Sequence, residues 1–353
     1  MAFLDAACPK LQAMLKDISE SNVSSMSRAP VGFLDAVRSP MNLGGVTVSN
    51  LETRGGGKKT VEVVYAPATC EADIITTPGA ICTGNKAQTL EVQQVNTNSF
   101  IGTVARSLSI NDVRQLCGPD LTAPALLRHF LEQDIRTIEA ALDQALLAFY
   151  AAGVGGPLGQ PPGTVIPVNL MTQSSPNAPD VAGWHAALAH YYRIRGVGMP
   201  IVVGGGILDT FFGLKDWGCC NNGGIDLSQS RSSAAYFRDY YADTVLGTNE
   251  FAMWSPGAVQ LVQWVKNEGE FARSGDTYSH STIVDPMTGL QYDVNIVYDP
   301  CTETWKWNVG ISFGLWIMPF QWNACTGEGM QGVNGTLQFE ATQLCPAPCP
   351  PTP

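Results

Sequence analysis

Ser312, in the stretch GISFG at residues 310–314, matches the G-x-S-x-G pattern of a hydrolase nucleophile. That pattern works when a strand turns sharply into a helix and projects the serine. Here the apolar/polar alternation of the surrounding residues runs on through Ser312, so a strand interior is the better reading and a serine hydrolase the minor one. VVGGGILD (202–209) suggests a dinucleotide loop, but Asp209 stands where the third glycine of G-x-G-x-x-G is needed. Its carboxylate would face the pyrophosphate. A tight strand exit explains those glycines. GGGKKT (55–60) lacks the earlier glycine that a phosphate-binding P-loop requires.

The histidines are His129, His185, His190 and His280, and none stands in H-E-x-x-H or beside a cysteine pair. His129 reads as a helix boundary residue, and His185 and His190 are spaced poorly for shared ligation on one helix face. A C-x2–4-C pairing occurs once, at Cys345 and Cys349, while Cys219 and Cys220 are adjacent in a turn. A four-thiolate zinc site therefore stays open on residue count but lacks its second pair. Cys70 and Cys82 could pair after release from a cell, with two free thiols the simpler reading. Trp184, Trp217, Trp254 and Trp264 lie among apolar neighbours, as core or subunit-contact residues do. RGGGKK (54–59) could touch phosphate but reads as a solvated turn. No catalytic, cofactor-binding or metal-binding residue is assigned, and no cofactor is expected.

The elements that would position such groups are plainer than the groups themselves. In 123–152, Leu127, Leu131, Ile135, Ile138, Leu142, Leu146 and Phe149 recur every three or four residues, the signature of one buried helix face. Thr122 is expected as the N-cap, Pro124 in the first turn, and Gly153 as a left-handed stop. At roughly 1.5 Å per residue this is a strut of about 45 Å. In WKWNVGISFGLWI (305–317), Trp305, Trp307, Val309, Ile311, Phe313, Leu315 and Ile317 alternate with Lys306, Asn308, Gly310, Ser312 and Gly314 until Trp316. That period of two predicts a long strand, preceded by another through Tyr292, Val294, Ile296 and Tyr298. DPCTET and DPMTG are the turns of this meander.

Strands are also predicted at 60–66 and 88–95, around a turn-rich stretch. Residues 1–60 look like an arm, with a helical pattern at Leu11, Met14, Leu15 and Ile18. GVGGPLGQPPG (153–163) reads as a connector. Beyond it, VAGWHAALAHYYRIRG is expected as helix and MPIVVGG as buried strand. AAYFRDYYADTVLG and SPGAVQLVQWVKNEG are both expected as helices, the last begun by Ser255 with Pro256 at its first position.

Composition narrows the function classes. Of 353 residues, only 14% are charged, well below the roughly 25% of ordinary soluble domains. Extensive subunit contacts or secretion would explain that surface. MAFLDAACPKLQAML has an aspartate at position 5 and no basic or long apolar run, which disfavours a signal peptide. No stretch is apolar enough to span a membrane. In a reducing cytoplasm the ten cysteines would begin as thiols, and the sequons at Asn22 and Asn334 would carry no meaning. A net charge of −11 argues against a nucleic-acid reader.

The order of parts is arm, long two-stranded loop, uninterrupted helix, mixed α/β lobe, long β meander. It resembles the major capsid proteins of tailed bacteriophages, the Hong Kong 97-type fold shared with encapsulin shells. The resemblance covers roughly residues 30–343. TVEVVYAP, the 123–152 helix, MPIVVGGGILDTFFG, SPGAVQLVQWVKNEG and GLQYDVNIVYDPCTETWKWNVGISFGLWIMP carry it. It implies an α+β fold with these parts: an N-terminal arm (1–59), an extended β loop (60–105), a peripheral domain (106–180 and 271–322) with its spine helix at 123–152, an axial domain (181–270), and a C-terminal segment with a Pro-rich tail (323–353).

As function, the resemblance implies a non-enzymatic subunit that assembles with itself through pentamers and hexamers into an icosahedral shell. The shell would enclose double-stranded DNA without sequence-specific binding, in a virion assembled in the host cytoplasm and without a membrane. Scaffolding, portal and decoration proteins are the further partners it leaves room for. An encapsulin-like cargo shell is the alternative, and a hydrolase using Ser312 the reading from another class. No upstream scaffolding region or crosslinking lysine–asparagine pair stands out, and the cysteines and the tail CPAPCPPTP are unusual for the family.

Overall fold

The computed structural model describes residues 31–42, 46–49, 60–65, 90–109, 122–157, 159–171, 181–194, 198–206, 208–211, 234–264, 278–285, 289–299, 301–302, 304–319 and 334–343. The helical pattern at residues 11–18 lies outside them. The predicted strut is α2, Thr122–Gly153, 32 residues long. Leu131, Ile135, Ile138, Leu142 and Leu146 are all at most 5% exposed, so the apolar stripe is buried as its spacing requires. Phe149 departs from this and is 43% exposed, because Leu147 and Tyr150 turn inward at the end of the helix in its place.

The long predicted strand is β13, Thr304–Ile317. Trp307, Val309, Ile311 and Phe313 on one face of it join the stripe of α2 in the main core. β13 is the axis of a six-stranded sheet. It pairs antiparallel with β12 (Gln291–Asp299) over residues 304–310 and with β10 (Val259–Trp264) over 312–317. Gly310 also faces Gly102, and Ser312 faces Phe100, so β4 (Ser99–Gly102) and β5 (Arg106–Ser109) line the opposite edge. β11 (Tyr278–Val284) completes the meander against β12.

Two further sheets flank this one. β1 (Val46–Ser49), β2 (Thr60–Tyr65) and β3 (Glu91–Asn96) form an antiparallel ribbon. Val61, Val63 and Tyr65 on its inner face pack with Trp316 and Val262. A five-stranded sheet has the order β6-β14-β9-β7-β8, from Val165–Met171, Thr336–Gln343, Glu250–Trp254, Ile201–Gly204 and Ala235–Arg238. Its own core, with Trp184, Phe211, Phe251 and Phe339, lies under α3 (Val181–Arg193). Its other face, through Ile201, Val203, Ala252 and Trp254, belongs to the core of α2.

The structure corrects three expectations. SPGAVQLVQWVKNEG does not begin a helix. Ser255 accepts a 2.9 Å bond from the Ala258 N–H and Gly257 has φ +84°, so Pro256 and Gly257 are the central pair of a type II turn leading into β10. AAYFRDYYADTVLG is not one helix either. Ala235–Arg238 pairs parallel with β7, and only Ala242–Val245 (α4) is helical. Pairing energy from a neighbouring strand outweighs weak helix propensity over so short a run.

The third correction concerns Gly153, which does not adopt a left-handed conformation. A Cβ there would stand 2.8 Å from Ile317 Cδ1, so the glycine serves a close approach of helix to strand. Part of the expected arm is packed inside the molecule. Gly32–Arg38 forms a short helix, α1, with Phe33, Leu34 and Ala36 fully buried in the main core. Sheet membership also crosses the expected domain limits, since β6 and β14 join the strands of the 181–270 lobe and β10 joins the meander.

Candidate functional site

Ser312 is 2% exposed in the unbroken β13 ladder, between Trp264 and Phe100. There is no strand-to-helix elbow at that point, so the hydrolase reading fails on geometry. Asp209 turns away from any phosphate position: it bonds the Tyr236 hydroxyl and forms a 2.8 Å ion pair with Arg238. Burial, followed by that Asp209 bond, holds the Tyr236 hydroxyl far above its ordinary pKa.

His129 is exposed and lies 3.0 Å from the side-chain nitrogen of Gln133. His185 is exposed and His190 half-buried on α3. The side chain of His280, the RGGGKK stretch, Trp217, and Cys70, Cys82, Cys219, Cys220, Cys345 and Cys349 lie outside the described residues. Among the described residues, no three His, Cys, Asp or Glu side chains are grouped to hold a metal ion, and no helix is long and apolar enough to cross a membrane. Trp184 and Trp254 are fully buried core residues.

What the fold does build is a set of polar knots that lock distant segments together. Asn42, 1% exposed, donates to the carbonyls of Val37 at 3.0 Å and Val259 at 2.6 Å. Its Oδ1 accepts from Trp254 Nε1 at 3.2 Å and from the Gly257 N–H at 3.1 Å. All four hydrogen-bonding positions of one buried amide are thereby used, which is what its burial demands. Asn334 does the same at the end of the strut. It donates to the Gly153 carbonyl at 3.0 Å and accepts from the Thr336 N–H and hydroxyl, while Thr336 Oγ1 accepts from the Gly155 N–H. A sequon asparagine dismissed on sequence is thus the residue that ties the end of α2 to β14.

Among the described residues the surface carries apolar and amide-lined contact features. A groove of about 550 Å³ runs between β3, β4, the end of α2 and β13. Amides of Gln93, Gln94, Asn96 and Asn98 rim it, and Phe149 and Trp316 floor it. On the β ribbon, Leu90 and Val92 are 68% and 59% exposed. Tyr65 donates to Glu91 at 2.5 Å across that ribbon, and burial together with this carboxylate pushes its hydroxyl up to about 12. Apolar side chains at a strand edge on a sparsely charged surface suit protein contact.

No family model matches the chain and no curated protein matches its sequence. Solved structures do match. A chain of the cyanophage A-1(L) capsid asymmetric unit aligns with a TM-score of 0.54 at 9% identity, covering 90% of this chain and 95% of that one.

The chain has a phage capsid protein fold.

Looser likenesses are to other phage structures. A Mycobacterium phage Che8 chain aligns at TM-score 0.42 and 11% identity, covering 83% of this chain and 91% of that one. The capsid of Ralstonia phage GP4 aligns at 0.40 and 10%, covering 86% and 87%. The α+β class and the capsid resemblance drawn from the order of elements both hold.

Proposed function

We propose that this chain is the major capsid protein of a tailed bacteriophage, built on the Hong Kong 97-type plan. It assembles with itself through pentamers and hexamers into an icosahedral shell around double-stranded DNA. The observation that carries this reading is the alignment with the cyanophage A-1(L) capsid chain along nearly the whole of both chains. The role is structural, and the chemistry is association: many modest contacts, each subunit touching several neighbours, sum over a closed lattice.

In this reading α2 is the spine and the six-stranded sheet its brace, together the peripheral domain. The β1-β2-β3 ribbon is the base of the extended loop that reaches a neighbouring subunit. The axial domain is the five-stranded sheet with α3, and it gains β6 and β14 relative to the division made on sequence. The shell sits in the virion after assembly in the host cytoplasm, with DNA held by enclosure rather than by sequence-specific binding. Scaffolding, portal and decoration proteins are the partners to look for.

Sedimentation and negative-stain microscopy of the expressed chain test this directly. Closed particles or capsomer rings are expected, and a stable monomer under all conditions would count against the reading. Nuclease-protected DNA in particles from infected cells separates a viral shell from a cargo shell, which would hold protein instead.

A further inference from the structure

We propose that Asp143 and Asp239 share one proton and form a latch that holds helix α1 in the core and releases it as pH rises. Asp143 projects from the middle of α2 and Asp239 follows β8, yet both meet the start of α1. Phe33 donates its N–H to Asp239 Oδ2 at 2.8 Å, and Leu34 donates its N–H to Asp143 Oδ1 at 2.8 Å. These are two of the amides that a helix start leaves without internal partners. The acceptors therefore come from segments 206 and 109 residues away in sequence.

The two carboxyl groups lie 0% and 2% exposed. Asp239 Oδ1 is occupied by the N–H groups of Tyr241 and Ala242, at 2.7 and 2.9 Å. Asp143 Oδ2, by contrast, is buried and receives no donor. Among the described residues, no basic side chain pairs with either group. The titratable groups facing them there are Asp35 from α1, Asp243 from α4, Tyr236 from β8, and each other. Arg238, next to Asp239, is engaged with Asp209. Two adjacent carboxylates in a low-dielectric site cannot both ionise without a large cost. A proton on Asp143 removes it: Oδ2 then donates to Asp239, and Oδ1 still accepts from Leu34. Burial first, then the Asp239 carboxylate, push Asp143 up to about 9.

The sign follows from where the proton is bound. An exposed aspartate titrates near 3.9, so between roughly pH 4 and pH 9 the latched state holds a proton that the released state does not. The latch is strongest at the acid end of that window and weakens as pH rises through it. Gly32 fits the same arrangement, since a Cβ there would collide with the Arg238 carbonyl. The latch stands on the subunit's own geometry and holds whether or not the shell reading does.

Hydrogen–deuterium exchange of the full chain, followed on peptides covering residues 31–42 between pH 6 and 9 and corrected for the intrinsic exchange rate, tests it. The opening constant of α1 is expected to rise by up to about tenfold per pH unit. In Asp143→Asn, whose amide keeps both bonds without a proton, the slope is expected to vanish, and in a partly exposed control on the same helix, Glu132→Gln, to remain. A flat profile in the wild-type chain overturns the latch, as does an Asp143→Asn variant that keeps the wild-type slope. If Asp143→Asn does not fold, the wild-type profile and Asp239→Asn, expected to confine the slope to lower pH because burial alone still raises Asp143, decide the matter.

Discussion

The rings of Phe149 and Phe313 lie 6.1 Å apart at an angle of 53°, joining the end of α2 to the middle of β13. One is 43% exposed and the other 2%. The pair marks the line along which the strut and the long strand are fastened, and also the place where that line reaches the surface groove.

This asymmetry separates two roles. Phe313→Ala empties a packed site and should cost about 3–5 kcal/mol of subunit stability in denaturant unfolding. Phe149→Ala should cost only about 1 kcal/mol, because much of its ring is already in water. If the groove meets a neighbouring subunit, particle yield falls in the Phe149 variant while the melting temperature barely moves.

The strut depends on its buried stripe. Leu131→Asp or Ile138→Asp places an unpaired carboxylate at a site no more than 1% exposed, at a cost on the order of 4 kcal/mol or more. Both variants should lose folded, assembly-competent subunit in thermal unfolding and sedimentation. Glu132→Ala removes a partly exposed i,i+4 pair with Arg136 and should change stability by about 0.5 kcal/mol or less.

Asn42 holds the α1 segment, the Pro256–Gly257 turn and β10 together. Asn42→Ala leaves Trp254 Nε1 and the Val259 carbonyl without this partner, costing on the order of 3 kcal/mol. Asn42→Asp should be no better, since a carboxylate cannot donate to the Val37 and Val259 carbonyls. Chemical denaturation of the two variants side by side checks this, and a wild-type midpoint for Asn42→Asp would refute the bonding pattern.

Gly310 lies beneath the Phe100 ring, and a Cβ there would collide with it. Gly310→Val should therefore displace Phe100 and strain β4 against β13, costing about 2 kcal/mol. The companion Phe100→Ala should recover part of that loss, which a double-mutant cycle would show as coupling.

The elements read correctly from sequence are those whose evidence is local and repeated. Leu131, Ile135, Ile138, Leu142 and Leu146 at helical spacing leave α2 no other way to bury them, and strict alternation from Trp305 to Leu315 leaves β13 none either. Each is long enough for its period to outweigh its composition. The order of these elements was enough to bring the capsid resemblance into view.

The short segments went the other way. Whether SPGAVQLVQW is helix or turn and strand depends on the open edge of β13 that receives it, and AAYF becomes a strand only because β7 lies alongside. The polar knots were beyond any local pattern. Asn42 finds Val259 217 positions away, Asn334 finds Gly153 at 181, and Asp143 finds Leu34 at 109. Periodicity is a property of neighbours along the chain, so the sequence by itself determined the strut and the long strand. A buried polar group must be satisfied by whatever folding brings within about 3 Å. Only the tertiary structure decided which amides, carbonyls and carboxylates those would be.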